Sequence, residues 1–100
     1  MELITFGELD GFEWDIGNSS KSSVKHDVSM TETEEIFFNS PLLLAGDDRH
    51  SLTERRILAL GVTNTGRKLS IVFTVRARRI RVITARDMSR KERRAYEKES

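Results

Sequence analysis

The sequence predicts a single α+β domain in which helices cover one face of an antiparallel sheet. Two observations support this prediction. The segment Lys68–Arg76 alternates apolar and polar residues, with apolar side chains at positions 69, 71, 73 and 75 on one face. Two Ser-x-x-Glu motifs, starting at Ser29 and Ser89, are capping boxes that begin helices. We expect two N-terminal helices and a C-terminal helix, packed on a mainly antiparallel four- to five-stranded sheet within one domain, residues 1–100.

The N-terminal half is expected to contain one strand and two helices. The strand ends at Trp14, and a short helix over 15–26 follows, with an aspartate as its N-cap. The second helix covers 29–38 and stops there, because the residue before Pro41 is pushed out of helical geometry. The residues of this helix expected to be buried are Met30, Ile36 and Phe37.

The C-terminal half is expected to form a meander of strands followed by a helix. Asn64 and Gly66 lie in a hairpin turn, since both residue types tolerate positive φ, and Ala77-Arg78 forms the next turn. The predicted elements are a buried strand at 42–44, strands at 55–62, 68–76 and 80–85, and a helix from the Ser89 cap to about Lys98.

The charges are segregated along the chain, which the formal net charge of +1 conceals. Residues 1–50 contain eleven acidic and three basic residues, and residues 51–100 contain fourteen basic and five acidic ones. Eleven of those fourteen bases are arginine, whose planar guanidinium fits phosphate oxygens. A basic half of this kind is typical of proteins that bind a nucleic acid or an acidic protein.

Strand alternation predicts where the arginines gather. Arg79 and Arg81 share one face of the last strand. Arg76 ends the neighbouring strand and Arg86 ends the last strand, and these guanidiniums are expected on the same surface. The following helix adds Arg90, Lys91, Arg93 and Arg94. Because clustered like charges repel, this group favours phosphate or an acidic partner over a purely solvated face. The acidic residues 32–35 and 47–48 are expected on the far side of the molecule.

Both histidines have structural explanations. His26 ends the first predicted helix, where its ring satisfies helix carbonyls and the helix dipole favours its cationic form. Asp27 follows at the position where a helix often takes a left-handed residue. His50 lies in a polar loop and orders it. A zinc site built from the two histidines and an acid lacks any supporting ligand spacing, so no metal is expected.

A series of short motifs points to one family. It begins with Phe12-Glu13-Trp14-Asp15, Lys25-His26-x-Val28-Ser29 and Glu34-Glu35-x-Phe37-Phe38-Asn39-x-Pro41-Leu42. It continues with Asp47-x-x-His50-Ser51-x-x-Glu54-x-Arg56, Leu60-Gly61, Phe73-Thr74-x-Arg76, Ile80-Arg81-Val82-Ile83-x-Ala85-Arg86, Glu92-Arg93 and Tyr96-Glu97. The chain thus resembles the BrnT family of toxins over about residues 12–97, with 1–11 outside the match. Asp27 stands where the family usually has glycine, and Met30 where an aromatic residue is common.

The resemblance implies a RelE-like fold and a small, metal-independent endoribonuclease toxin that inhibits translation. It also implies a cognate ribbon-helix-helix antitoxin (BrnA-like) that holds the toxin inactive. Toxin and antitoxin together would repress their own promoter, so operator DNA is contacted only through the antitoxin. No cofactor is expected.

RNA cleavage without a metal needs a base for the 2′-OH proton, cations for the phosphate and an acid for the leaving 5′ oxygen. His26 is the candidate base or acid, and Glu54 is the alternative base. The resemblance to RelE-like enzymes leaves an arginine or lysine open as the acid. The predicted catalytic residues are Lys25, His26, Glu54, Arg76 and Arg86. The predicted RNA-binding residues are Arg79, Arg81, Arg90, Lys91, Arg93 and Arg94, and Arg81 also joins the phosphate-holding group.

The alternative function is a non-catalytic basic module that binds RNA or an acidic protein without cutting it. The last helix has too few apolar residues to lie in a membrane surface. The chain has no cysteine, no visible export signal and no apolar run long enough to cross a bilayer. We therefore expect a cytoplasmic protein with no membrane partner.

Overall fold

The computed structural model describes residues 11–14, 27–46 and 55–99, and these residues form an α+β structure. Its elements are β1 (Phe12–Glu13), α1 (Met30–Glu35), β2 (Leu43–Gly46), β3 (Ile57–Val62), β4 (Lys68–Arg76), β5 (Arg79–Asp87) and α2 (Arg90–Glu99). A 3-10 turn, Ile36–Phe38, extends α1. The helix predicted at 15–26 lies outside the described residues. No helix within the described ranges is long and apolar enough to span a bilayer.

The strands form one five-stranded sheet in the order β1-β5-β4-β3-β2. Strands β2 to β5 pair antiparallel, as predicted. The sheet is nevertheless mixed, because β1 lies parallel to β5, with Phe12 opposite Ile80 and Glu13 opposite Arg81. A strand that precedes the whole meander and joins its far edge is not constrained by a hairpin to run antiparallel.

The two described helices cover opposite faces of the sheet, so the prediction that helices cover one face is wrong. The main core lies on the α1 face, where Ile36 packs with Ile71 and Phe73. On the α2 face, Tyr96 packs with a smaller apolar cluster that includes Leu60. The reason lies in β3, whose sequence Ile-Leu-Ala-Leu-Gly-Val is apolar on both faces and requires cover on both.

Both predicted capping boxes are confirmed. In the first, the Ser29 hydroxyl accepts from the Glu32 amide at 3.0 Å, and the Glu32 carboxylate accepts from the Ser29 amide at 3.1 Å. In the second, the Ser89 hydroxyl accepts from the Glu92 amide at 3.1 Å, and the Glu92 carboxylate accepts from the Ser89 amide at 2.8 Å. These bonds satisfy amides at the helix N-termini that have no partner within the helix. The helical segment ends before Pro41, also as predicted.

Two burial predictions for the N-terminal half of the chain need correction. Met30 is 45% exposed, because it is the first helical residue and the positions facing the sheet are Thr33 and Ile36. The strand predicted to be buried at 42–44 lies instead at Leu43–Gly46 and is half-buried to exposed, since β2 is the last strand of the sheet.

A β-bulge in β5 determines which side chains share a face. The register with β4 shifts between Val72 and Phe73, so that Ile83 is the extra residue on β5. Strict alternation would place Arg81 and Arg86, five positions apart, on opposite faces. The bulge adds one residue between them, and both therefore lie on the α2 face.

Candidate functional site

Four arginines of the β4–β5 hairpin lie on the α2 face of the sheet. We call them the arginine surface: Arg76, Arg79, Arg81 and Arg86. Arg76 and Arg79 are directly opposite each other next to the Ala77-Arg78 turn. The predicted alternation is confirmed, because Ile80 and Val82 are buried on the α1 face. The structure thus brings guanidinium groups from two strands to one side of a rigid sheet.

The arginine surface is divided into two groups at opposite ends of the hairpin. Arg76, Arg79 and Arg81 lie at the turn end, and Arg86 lies near the start of α2. Arg81 and Arg86 are opposite Thr74 and Ser70, which are four residues apart on β4 and so about 13 Å apart at about 3.3 Å per strand residue. A ligand that contacts both groups must therefore be an extended anion that runs along the strand, rather than a single small ion.

The turn-end group contains a carboxylate, Glu13, contributed by β1. Arg81 Nη1 donates to Glu13 Oε1 at 2.9 Å, and Arg76 Nη1 lies 4.0 Å from the same oxygen. Sequence reasoning gave Glu13 no role beyond its place in a motif. Its position follows from the parallel pairing of β1 with β5, which no local pattern in the sequence indicates.

Arg86 is held by Glu92 of α2. Its Nη1 and Nη2 donate to Glu92 Oε1 and Oε2 at 2.7 and 3.0 Å, and the Ser70 hydroxyl donates to Oε2 at 3.2 Å. Burial opposes ionisation of Glu92, but hydrogen bonds from Arg86 and the Ser89 amide outweigh it and lower the pKa of this carboxyl to about 2. The same pair raises the pKa of Arg86. The guanidinium is therefore fixed in place and permanently charged.

The chain segment that leads into β3 also meets this face. The Thr74 hydroxyl donates to the Arg55 carbonyl at 2.7 Å, and Thr74 lies directly opposite Arg81. Thr74 is buried and Arg55 is exposed. Sequence reasoning did not single out Arg55, which adds a base close to the turn-end group.

Helix α2 directs its basic side chains away from the sheet. Its inward side carries Glu92 and Tyr96, and the Tyr96 hydroxyl donates to the Pro41 carbonyl at 2.6 Å. Burial raises the pKa of Tyr96, which keeps this hydroxyl protonated as a donor. The exposed bases of the helix are Arg90, Lys91, Arg93, Arg94 and Lys98. The helix is thus anchored by its inward side and presents positive charge to the solvent.

A sequence profile described as "ribonuclease toxin, BrnT, of type II toxin-antitoxin system" matches residues 14–92. The chain belongs to the BrnT family. A search of curated proteins returned no significant match. Membership in this family makes the chain a toxin of the ribonuclease class and implies an antitoxin partner. The whole arginine surface lies inside the matched range, whereas Glu13 precedes it.

The BrnT chain carries a second charged network on the opposite face, centred on Arg67. This guanidinium donates to Asp87 at 2.7 and 3.1 Å, to Glu32 at 3.1 Å and to the Asp27 carbonyl at 2.8 Å. Hydrogen bonds to Asp87 and Glu32 raise its pKa. The acidic residues 32–35 belong to α1 and are thus on the far side from the arginine surface, as predicted, while 47–48 lie outside the described residues.

Three predicted site residues of the BrnT chain lie outside the described ranges: Lys25, His26 and Glu54. The loop residue His50 lies outside them as well. The described chain resumes at Asp27, whose φ of +54° confirms the predicted left-handed residue. Within the described ranges, no group of three or more His, Asp or Glu side chains is placed to hold a metal ion. Of the predicted catalytic residues, the structure therefore places Arg76 and Arg86, in different groups of the arginine surface.

Proposed function

We propose that this BrnT toxin is a metal-independent endoribonuclease that cleaves RNA and inhibits translation. The arginine surface is the observation that carries the proposal, together with family membership. RNA is an extended polyanion, and cations spaced along a strand can contact successive phosphates of its backbone. The two-group arrangement suits such a chain better than it suits a compact acidic ligand.

The proposed chemistry assigns charge stabilisation to the arginines. A guanidinium next to the scissile phosphate stabilises the negative charge that grows in the pentavalent transition state. Arg86 is the best-positioned candidate, since Glu92 holds it in one orientation. Arg76 and Arg81 would hold a neighbouring part of the RNA, and Lys25 would add a further cation.

The proton transfers are assigned to His26, with Glu54 as the alternative base. Asp27, the next residue after His26, is bound through its carbonyl to Arg67, and Arg67 also binds Asp87, the neighbour of Arg86 in β5. This network lies on the face opposite Arg86, so the assignment of His26 depends on the chemistry of imidazole and on the resemblance to the family. The imidazole has a pKa suited to exchanging protons near neutral pH.

The proposed partner is a cognate ribbon-helix-helix antitoxin that covers the arginine surface with acidic side chains. Charge complementarity supports this, because the surface and the exposed side of α2 together present a large positive field. Arg79, Arg90, Lys91, Arg93 and Arg94 would then bind either RNA or the antitoxin, but not both at once. Operator DNA would be reached only through the antitoxin.

The direct test is incubation of the purified protein with RNA in EDTA. We expect fragments that end in cyclic phosphates, and Arg86→Ala should slow their formation by about a hundredfold, the usual cost of losing one transition-state donor. Lys98→Ala removes a positive charge in the last turn of α2 and is the matched control, with little expected effect. Cleavage that requires added divalent metal would contradict metal independence. RNA that is bound but stays intact would favour the non-catalytic binding module.

A second variant separates catalysis by Arg86 from its structural contact. Glu92→Gln removes the negative charge that holds Arg86 but does not remove the guanidinium group itself. If Arg86 stabilises the transition state, Arg86→Ala should lose far more rate than Glu92→Gln at a temperature where both variants are folded. Equal losses in the two variants would show that Arg86 only anchors α2.

A further inference from the structure

Glu13 is a carboxylate placed among cations on the proposed RNA-binding face. Strand β1 is fixed on the α1 face of the sheet by Phe12, whose ring contacts that of Phe37 at a centroid distance of 5.4 Å. Alternation then directs Glu13 to the α2 face, opposite Arg81. Its position is therefore set by the sheet and not by a flexible loop.

The contacts of Glu13 resemble those that a phosphate would make. A single oxygen, Oε1, receives the hydrogen bond from Arg81 and lies 4.0 Å from Arg76. Both guanidiniums approach this oxygen through Nη1. A non-bridging phosphate oxygen is an acceptor of the same kind and would fit the same position between the two cations.

The exposure of these side chains shows that the position is accessible. Arg81 is 20% exposed, Glu13 29% and Arg76 49%. The Glu13–Arg81 pair is half-buried yet reaches solvent, so an anion arriving from solution can contact both arginines. Because the pair reaches solvent, water and salt screen its attraction, and another anion can compete for the arginines.

We propose that Glu13 is a resident anion in a phosphodiester-binding site formed by Arg76 and Arg81, where RNA binds in competition with its carboxylate. The inference rests on the proposed RNA-cleaving function and adds to it a binding site and a residue that weakens binding there. Without RNA, Glu13 keeps two like-charged arginines together. The two arginines are therefore already in position when RNA arrives. The Glu13 carboxylate then repels the phosphate, which limits the affinity of the site for RNA.

The test is the affinity of Glu13→Gln for an RNA oligonucleotide with 2′-O-methyl groups, which cannot be cleaved. Glutamine keeps an acceptor for Arg81 but removes the charge. We expect affinity to rise by about fivefold to tenfold, the effect of removing a like charge about 4 Å from a phosphate at a solvated surface. The slope of log K against log salt concentration should steepen by about 0.7, the value for one additional phosphate contact on a single strand.

Three variants complete the experiment. Glu34→Gln makes the same charge change on the α1 face, where Glu34 accepts a hydrogen bond from Trp14, and affinity should change less than twofold. Glu13→Asp retains the charge and should bind like the wild type. If Glu13→Gln does not fold, Glu13→Thr, which suits a strand and is uncharged, should show the same gain.

The outcomes separate this inference from the proposed function. Unchanged or weaker binding by folded Glu13→Gln, with RNA cleavage by the wild type intact, overturns the inference and leaves the function standing. An equal gain in Glu34→Gln also overturns it, because the effect would then be one of net charge alone. A wild-type protein that neither binds nor cuts RNA overturns the proposed function itself.

Discussion

Glu92→Gln is expected to destabilise the protein in a pH-dependent way. Glu92 accepts from Arg86 through both carboxylate oxygens and from the Ser89 amide, and its pKa falls from 4.5 to about 2 on folding. At 1.36 kcal/mol for each unit, this shift corresponds to at most about 3.4 kcal/mol. Arg86 is 40% exposed, so solvent screening reduces our expected value to about 2 kcal/mol at pH 7.

The pH dependence follows from the direction of the shift. Because the folded-state pKa of Glu92 is lowered, its contribution is complete above pH 5 and is lost as the pH falls towards 2. The difference in unfolding free energy between wild type and Glu92→Gln should therefore shrink to less than half of its neutral value by pH 3. Urea denaturation at pH 7, 5.5, 4 and 3 measures this difference directly.

The control for this prediction is Glu97→Gln on the same helix. Glu97 lies 3.7 Å from Lys68 and its side chain is 53% exposed, so its removal should cost less than about 0.5 kcal/mol. A Glu92→Gln penalty that stays constant with pH, or that equals the Glu97→Gln penalty, would refute the reasoning.

Two further stability predictions concern backbone positions and are checked by denaturant unfolding. Gly61→Ala should cost about 1–3 kcal/mol, because a Cβ there would lie 2.9 Å from Ile36 Cβ and 3.3 Å from the Ile36 carbonyl oxygen; a neutral effect would mean that α1 shifts freely. Asp27→Gly should raise stability by about 0.5 kcal/mol, because glycine adopts a φ of +54° without strain while its carbonyl still binds Arg67. Asp27→Ala keeps the strain and should be no more stable than the wild type, so a gain from alanine would contradict that explanation.

Local patterns predicted β4 and the start of both described helices well. The bounds of β4 and both capping boxes follow from alternation and from Ser-x-x-Glu spacing, because these features depend on neighbours in sequence. The shared face of Arg79 and Arg81 follows from the same period of two. These signals require no knowledge of the rest of the chain.

Contacts between distant segments could not be predicted in this way. The parallel pairing of β1 places Glu13 beside Arg81, and nothing in Phe12-Glu13 specifies which strand it joins. Strict alternation does not place Arg86 on the arginine surface, because the bulge at Ile83 that brings it there cannot be predicted from the period of two. The bond from Arg86 to Glu92 likewise depends on where α2 packs, although the capping role of Glu92 was visible in the sequence.

The pairing of β1 with β5 also constrains when the protein can complete its sheet during synthesis. Glu13 and Arg81 are 68 positions apart, so a growing polypeptide on the ribosome cannot join them until synthesis has passed β5. Pairing between strands this far apart in sequence is slow compared with hairpin formation. Strand β1 is therefore expected to join the sheet only after the β4–β5 hairpin, with the four arginines of the arginine surface, has formed.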